Sequence, residues 1–244
     1  VMIVDSSALP EQVTDDVMTS AFSSAGQRCS ALRVVSLQDS IADKVINMLK
    51  GALAERQIGN PLNLATDIGP VINVGSRNGL EKHIERMHRE ASLIARGNVP
   101  HGLENGSFLA PHIFEIPSLA TLKDEEFGPI LHVIRYAPKD IDRVMNEITD
   151  TGFGLTFGIH SRIEGYWLDL FRKNAVGNTY VNRNMIGAVV GVQPFGGMGL
   201  SGTGPKAGGP HYMLRFATEK VLTINTAAIG GNTELFRLNE GLAD

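Results

Sequence analysis

The apolar residues of this chain recur in two alternating periods, and no other sequence feature limits its fold as strongly. "VMIVD", "LRVVSL", "PHIFEI", "ILHVIRY", "LTFGIH" and "NTYVNR" are short runs rich in β-branched and aromatic residues, the pattern of buried strands. Helical spacing lies between them. Val13, Val17, Ala21 and Phe22 predict a helix over roughly 10–24, with Pro10 and Glu11 suited to its first turn. Ile41, Val45, Leu49 and Leu53 predict a second, ending near Gly59-Asn60-Pro61, where glycine permits a left-handed turn and proline stops the helix. Leu80, Ile84, Met87 and Ala91 mark a third; Ile141/Val144/Met145/Ile148 and Ile163/Trp167/Leu170/Phe171 mark two more. Strands alternating with helices predict an α/β fold, a largely parallel sheet with helices on both faces. "EKVLTI" near the C-terminal end is one further candidate strand.

Length and charge narrow the function classes. A chain of 244 residues buries a substantial core as one large domain or two small ones. A net charge of −4 and a pI near 6.0 provide no basic field for a phosphate backbone, so no nucleic-acid partner is expected. One cysteine makes neither an internal disulfide nor a cysteine metal cage, and no signal-peptide pattern is present; a reducing, cytoplasmic setting is expected. No apolar run approaches the roughly 20 residues of a membrane span. The opening "VMIVD" has strand character without an initiator methionine or polar leader, which suggests a start inside a larger fold.

That cysteine, Cys29 in "SSAGQRCSAL", is the principal candidate for chemistry. A lone cysteine is often a small buried hydrophobe. Here small and polar neighbours, with Arg28 adjacent, suit a partly exposed thiol whose thiolate nearby charge or backbone N–H groups would stabilise. Seven histidines admit a cysteine–histidine hydrolase as an alternative, although none lies in a motif that announces a base. His83 and His88, five apart, suggest a solvated pair and not a metal site, and no metal is expected. Gly197, Gly199 and Gly202 match G-x-G-x-x-G spacing but lack a strand-to-helix setting, which argues against a phosphate loop. The surrounding Gly/Pro-rich stretch still marks close backbone approach, either to a ligand or between packed segments.

"GQRCSA", "EEFGPI" and "PFGGMGLSGTG" occur in the order and approximate spacing of the catalytic half of the aldehyde dehydrogenase superfamily, which the chain resembles over nearly its whole length. "YVNRNMIGAVVGVQPFGG" and "GTGPKAGGP" resemble the Δ1-pyrroline-5-carboxylate dehydrogenase branch more narrowly. The tail "LTINTAAIGGNTELF" is similar to bifunctional proline-utilisation proteins, in which such a module follows a flavin-dependent proline dehydrogenase.

The resemblance implies an NAD-dependent oxidation of L-glutamate γ-semialdehyde to glutamate, with FAD confined to a proline dehydrogenase part outside this chain. It makes Cys29 the nucleophile, Glu125 the ligand of the nicotinamide ribose and Phe127 the ring beside the nicotinamide. It assigns the substrate carboxylate to the backbone N–H groups of Gly187 and Ala188 and the hydroxyl of Ser30, and packs Phe195 on the aliphatic chain. It implies a catalytic cysteine domain over 1–215, with 1–8 ending a preceding NAD-binding domain. Residues 216–226 would be an oligomerisation strand joining copies of the chain, and 227–244 a tail. The family's general-base E-x-G-G motif is not in this sequence, so the isolated chain is expected to lack activity. Another aldehyde as substrate, or a non-catalytic assembly module of the same fold, are the alternatives.

Overall fold

A computed structural model describes residues 1–189 and 191–229. It divides into two compact units, Val1–Gly209 and Pro210–Asp244. The first unit is built on a seven-stranded sheet in the order β3-β4-β5-β2-β1-β7-β8. Its strands are β1 (Met2–Val4), β2 (Val34–Gln38), β3 (Ser92–Arg96), β4 (His112–Glu115), β5 (Ile130–Tyr136), β7 (Thr156–His160) and β8 (Asn178–Val181). All neighbours pair in parallel except β3 with β4. The helices are α1 (Pro10–Phe22), α2 (Asp39–Ala54), α3 (Val74–Glu90), α4 (Ile141–Asp150) and α5 (Glu164–Lys173).

Alternation along β5 shows that helices cover both faces. Arg135 pairs with Asp43 of α2 at 2.8 Å. Its neighbours in the strand point the opposite way: the Tyr136 hydroxyl meets that of Tyr166 in α5 at 3.2 Å, and His132 meets His83 of α3 at 3.0 Å. Register carries the first face across the sheet, since Arg135 lies beside Leu37, Leu37 beside Val4, and Val4 beside His160. His160 faces Asp16 of α1 at 3.5 Å, so α1 and α2 share that face. The core between the layers draws on Met2, Ile3, Val35, Leu37, Phe114, Leu131 and Phe157, all fully buried.

Several element ends differ from the sequence expectation for local reasons. Helix α1 stops at Phe22, because Ser24 and Ala25 adopt left-handed backbone. Helix α2 ends at Ala54, where the Asp67 carboxylate captures the Gln57 N–H at 2.8 Å and the Arg56 guanidinium at 3.0 Å. Ala91 is the extended cap of α3 and not part of it. Strand β3 had no sequence prediction; it is an antiparallel edge strand whose burial does not alternate cleanly. A two-residue ladder, β6 (Phe153–Gly154) with β9 (Met198–Gly199), was likewise not predicted.

The first unit ends at Gly209, before the boundary expected after residue 215. The last segment bonded into it is Phe195 paired with Ala207, followed by Gly209 N–H donating to Lys206 O at 3.0 Å. The expected end of a preceding domain at 1–8 contains β1, which runs between β2 and β7 inside the sheet. In the second unit, Tyr212–Phe216 is a 3-10 turn, and the expected strand over 216–226 forms no ladder: residues 217–225 have no regular structure. A strand requires a hydrogen-bonding neighbour, and the described residues supply none there. Most of the expected tail, from 230 on, lies outside the described residues.

The core predicts a sharp contrast between two leucines. Leu49 is fully buried and Leu64 fully exposed, so Leu49→Ala should lower unfolding free energy by about 2–5 kcal/mol and Leu64→Ala by less than about 0.5 kcal/mol. Urea unfolding of the two variants checks this.

Candidate active site

Helix α1 delivers the chain to Cys29 through a strained turn. Ser24, Ala25 and Gly26 have φ of 55°, 53° and 67°, so two side-chain-bearing residues are left-handed. Each such residue costs of order 1–2 kcal/mol and persists only where its surroundings hold it. Those surroundings are specific. Gln27 N–H donates to Ser24 O at 3.0 Å, and Leu32 N–H to Ser20 O at 2.9 Å. The Arg33 guanidinium donates through Nη1 to Gly26 O and through Nη2 to Arg28 O at 3.2 Å. Gln27 bridges outward, donating to Phe127 O at 3.3 Å and accepting from Ile72 N–H at 3.0 Å. A Cβ on Gly26 would lie 2.1 Å from Gly128 O, so the backbones of "GQRC" and "EEFGP" touch only because residue 26 is glycine.

Arg33 joins the two motifs a second time. Its Nε lies 3.5 Å from Glu125 Oε1, an ion pair without hydrogen-bond geometry, and its guanidinium carbon sits 4.6 Å from the centre of the Phe127 ring. Burial lowers the Arg33 pKa from its ordinary value, opposed by the negative charges of Glu125, Cys29 and Glu126. Arg28, adjacent to the thiol in sequence, turns its Nε back onto Ser24 Oγ at 2.9 Å. Successive residues leave the turn in different directions, and the cation that lines the cleft with Cys29 is Arg33, which sequence reasoning did not single out. Its signal was a charge opening the otherwise apolar run "LRVVSL".

Cys29 is exposed and lines a cleft of about 610 Å³ that also includes Arg33, Glu125, Glu126, His132 and Phe157. Val1, Val34 and Thr156 place its floor at the amino ends of β1, β2 and β7. Among the described residues the Cys29 N–H has no hydrogen-bond acceptor, which leaves it able to donate to a developing oxyanion. Phe127 is 41% exposed beside this cleft, although it is not one of its walls.

The expected substrate residues are not among the residues that line this cleft. Ser30 is buried. Gly187 is exposed with φ of 72°, and Ala188 is half-buried. Their segment is tied to the cysteine turn through Ser20, whose hydroxyl accepts from Met185 N–H at 3.1 Å while its carbonyl holds Leu32. Phe195 is half-buried in a loop clamped by Asn178, which donates to Pro194 O at 3.0 Å and accepts from Gly196 N–H at 3.2 Å. The G-x-G-x-x-G stretch is a packed turn. Met198–Gly199 pairs with Phe153–Gly154, and Ser201 Oγ accepts from Gly154 N–H at 3.0 Å.

Of the histidines of the first unit, His132 lines the cleft with Cys29 and the others do not. His83, expected to be solvated, is buried against His132; His88 alone of that pair is exposed. His132 shares the cleft with Cys29, but its two ring nitrogens face Arg33 O and His83. Burial, foremost, lowers His83 and His112 to about 4 and His132 to about 3. No group of three His, Cys, Asp or Glu able to hold a metal occurs among the described residues. No helix among them is long and apolar enough to cross a membrane.

Residues 1–222 match the model of the aldehyde dehydrogenase family. The bifunctional protein PutA of Escherichia coli (strain K12) is 52% identical over 90% of this chain, which spans 17% of that protein. The 1-pyrroline-5-carboxylate dehydrogenase of Geobacillus thermodenitrificans is 32% identical over 91% of the chain and 43% of its own length. Among solved structures, a Bradyrhizobium japonicum proline utilization A mutant superposes with a TM-score of 0.89 at 58% identity, covering 94% of this chain and 23% of that one. A Thermus 1-pyrroline-5-carboxylate dehydrogenase with bound NAD gives 0.81 at 34% identity, over 88% of this chain and 41% of that one.

Two outcomes follow from the geometry. Gly26→Ala places a Cβ at a backbone oxygen in left-handed conformation, so stability should fall by about 1–3 kcal/mol and Cys29 alkylation by iodoacetamide should change rate in the variant that still folds. Unaltered melting and alkylation would contradict the contact. The buried histidines set a pH slope: their folded pKa values of about 3 and 4 lie below the ordinary 6.5. The unfolded chain therefore holds more protons in that window, and stability present above pH 6.5 is lost as pH falls toward 4. Urea midpoints across this range should decline, less steeply in a His83→Gln/His132→Gln variant.

Proposed function

The chain belongs to the aldehyde dehydrogenase family, and from that premise we propose that it contributes the thiol half of a site oxidising L-glutamate γ-semialdehyde to glutamate with NAD⁺, in proline catabolism. One observation carries the reading: an exposed Cys29, the Glu125 carboxylate and the largely buried Arg33 that pairs with that carboxylate line one cleft. The names of the relatives, PutA and 1-pyrroline-5-carboxylate dehydrogenase, support the substrate.

Cys29 Sγ adds to the aldehyde carbon, forming a thiohemiacetal whose oxyanion accepts from the Cys29 N–H; one such donor contributes about 3–4 kcal/mol to the transition state. NAD⁺, when bound, supplies the two-electron acceptor for the hydride of that carbon, leaving a thioester on Cys29. The residues present fit such a group. Glu125 offers a carboxylate that is 35% exposed and held from behind by Arg33, suited to accept from two ribose hydroxyls. Phe127 has its ring exposed for packing beside the nicotinamide. The N–H groups of Gly187 and Ala188 and the Ser30 hydroxyl bind the substrate carboxylate, and Phe195 packs on the methylenes. Water then hydrolyses the thioester.

The base for that water is the glutamate of the family's E-x-G-G motif, which these 244 residues do not contain; this chain alone is therefore inactive. FAD belongs to a proline dehydrogenase part outside it. The exposed apolar side chains Val221, Leu222 and Ile224 support an intersubunit strand at 216–226 that orders on pairing.

Kinetics of the full-length protein test the reading. Cys29→Ser should lower NAD-dependent turnover at least about a thousandfold, and Glu125→Gln should raise KM for NAD⁺ about tenfold. Undiminished turnover without the thiol removes the proposal. Equal kcat/KM for propanal and glutamate semialdehyde removes the substrate assignment.

A further inference from the structure

The backbone that leads to Gly187 and Ala188 is fixed at two points, and one of them is shared with the nucleophile turn. The chain leaves β8 through Asn182, left-handed at φ of 52°, a conformation that asparagine tolerates better than most residues. Its side chain pairs with the main chain of Ser161 as a neighbouring strand would, accepting from the N–H and donating to the carbonyl, each at 2.9 Å. Ser161 follows β7 and is fully buried, and its hydroxyl donates to the buried Asp5 carboxylate that follows β1. The start of the segment is thus tied to two inner strands of the sheet. Its second fixed point is Met185, whose N–H donates to Ser20 Oγ at 3.1 Å. Ser20 and Met185 are both buried, so water is no ready substitute for that acceptor. Met185 also lines the cleft with Cys29.

Ser20 holds the cysteine side as well. It lies in the last turn of α1, where helix carbonyls have no partner further along the helix. The left-handed Ser24 and Ala25 turn the chain away, and Leu32 N–H returns to the Ser20 carbonyl at 2.9 Å. One buried residue therefore bonds the backbone just after Cys29 and the backbone just before Gly187.

We propose that Ser20 is a positioning residue that sets the span between the Cys29 thiol and the Gly187 and Ala188 amides, and through that span selects the length of the substrate. A substrate held by its aldehyde carbon at Sγ and by its carboxylate at the loop reacts only when the two anchor points match its chain. A residue bonded to both segments fixes that distance directly. Ser20 is fully buried and touches neither substrate nor cofactor; it acts through the N–H groups of Met185 and Leu32. The inference rests on the proposed binding of the substrate carboxylate by Gly187 and Ala188.

The test compares Ser20→Ala with the parent in the full-length protein on three aldehydes: glutamate γ-semialdehyde, its homologue longer by one methylene, and propanal, which has no carboxylate for the loop. Ser20→Ala should lower kcat/KM for glutamate γ-semialdehyde about tenfold, mainly through KM, and cut its advantage over the longer homologue at least about threefold, with propanal within about twofold of the parent. Equal losses on all three mark a merely structural role and overturn the proposal, as does an unchanged preference. Ser20→Cys, close in shape with a far weaker acceptor, should show the same split and serves where the alanine variant does not fold. Hydrogen exchange of the Met185 amide in ligand-free protein separates this inference from the dehydrogenase reading. That amide should exchange at least about a hundredfold slower than an unprotected one in the parent, and at least about tenfold faster in either variant, even if the parent oxidises no aldehyde. A Met185 amide that is unprotected in the parent, or equally protected without the serine hydroxyl, sinks the proposal.

Discussion

The arrangement of the site depends on the partial burial of one positive charge. Arg33 stands at the amino end of β2 with a side chain only 14% exposed, and a guanidinium in that position is costly unless its donors find partners. Its Nη1 and Nη2 donate to the carbonyls of Gly26 and Arg28, and the Glu125 carboxylate, 3.5 Å from Nε, balances its charge. Those partners belong to segments about a hundred residues apart, so satisfying the charge and closing the site are the same event. The left-handed turn before Cys29 is tolerable for this reason: the bonds that hold its carbonyls compensate its strain.

The sheet explains why such a clasp forms where it does. In open α/β folds ligands usually sit beyond the carboxyl ends of the strands. Here Cys29 lies in the connection that enters β2, and the cleft opens at the amino ends of β1, β2 and β7. The pairing of β2 with β5 places Val34 beside His132, so the residue before β2 meets a histidine of the central layer. Helix α3 covers that face and supplies His83 to complete the contact.

Much of this architecture was legible in the chain. The strand at Ile130–Tyr136 coincides with "ILHVIRY", and the helices keep their apolar faces, because burial on one or both sides imposes a period that survives in the residues. Strand β3 escaped notice because an edge strand with one partner needs no strong alternation. His83 falls on the buried stripe that Leu80, Ile84 and Met87 set at helical spacing, and its polar side chain finds its partner there in His132. Cys29, Glu125 and Phe127 could be nominated because each sits in a short motif that resembles one of a known family. Arg33 and the histidine pair carry no such local mark.

The sequence by itself determined the α/β class and most of the strands and helices, since these follow from periodicity, and its motifs nominated Cys29 and Glu125 through their resemblance to a known family. Tertiary structure alone decided which cation lines the cleft with the thiol, which histidines are buried and neutral, and how the two motifs touch. Those contacts arise from strand register and from the close approach of Gly26 to Gly128. Both are relations between distant segments that no local stretch of residues encodes.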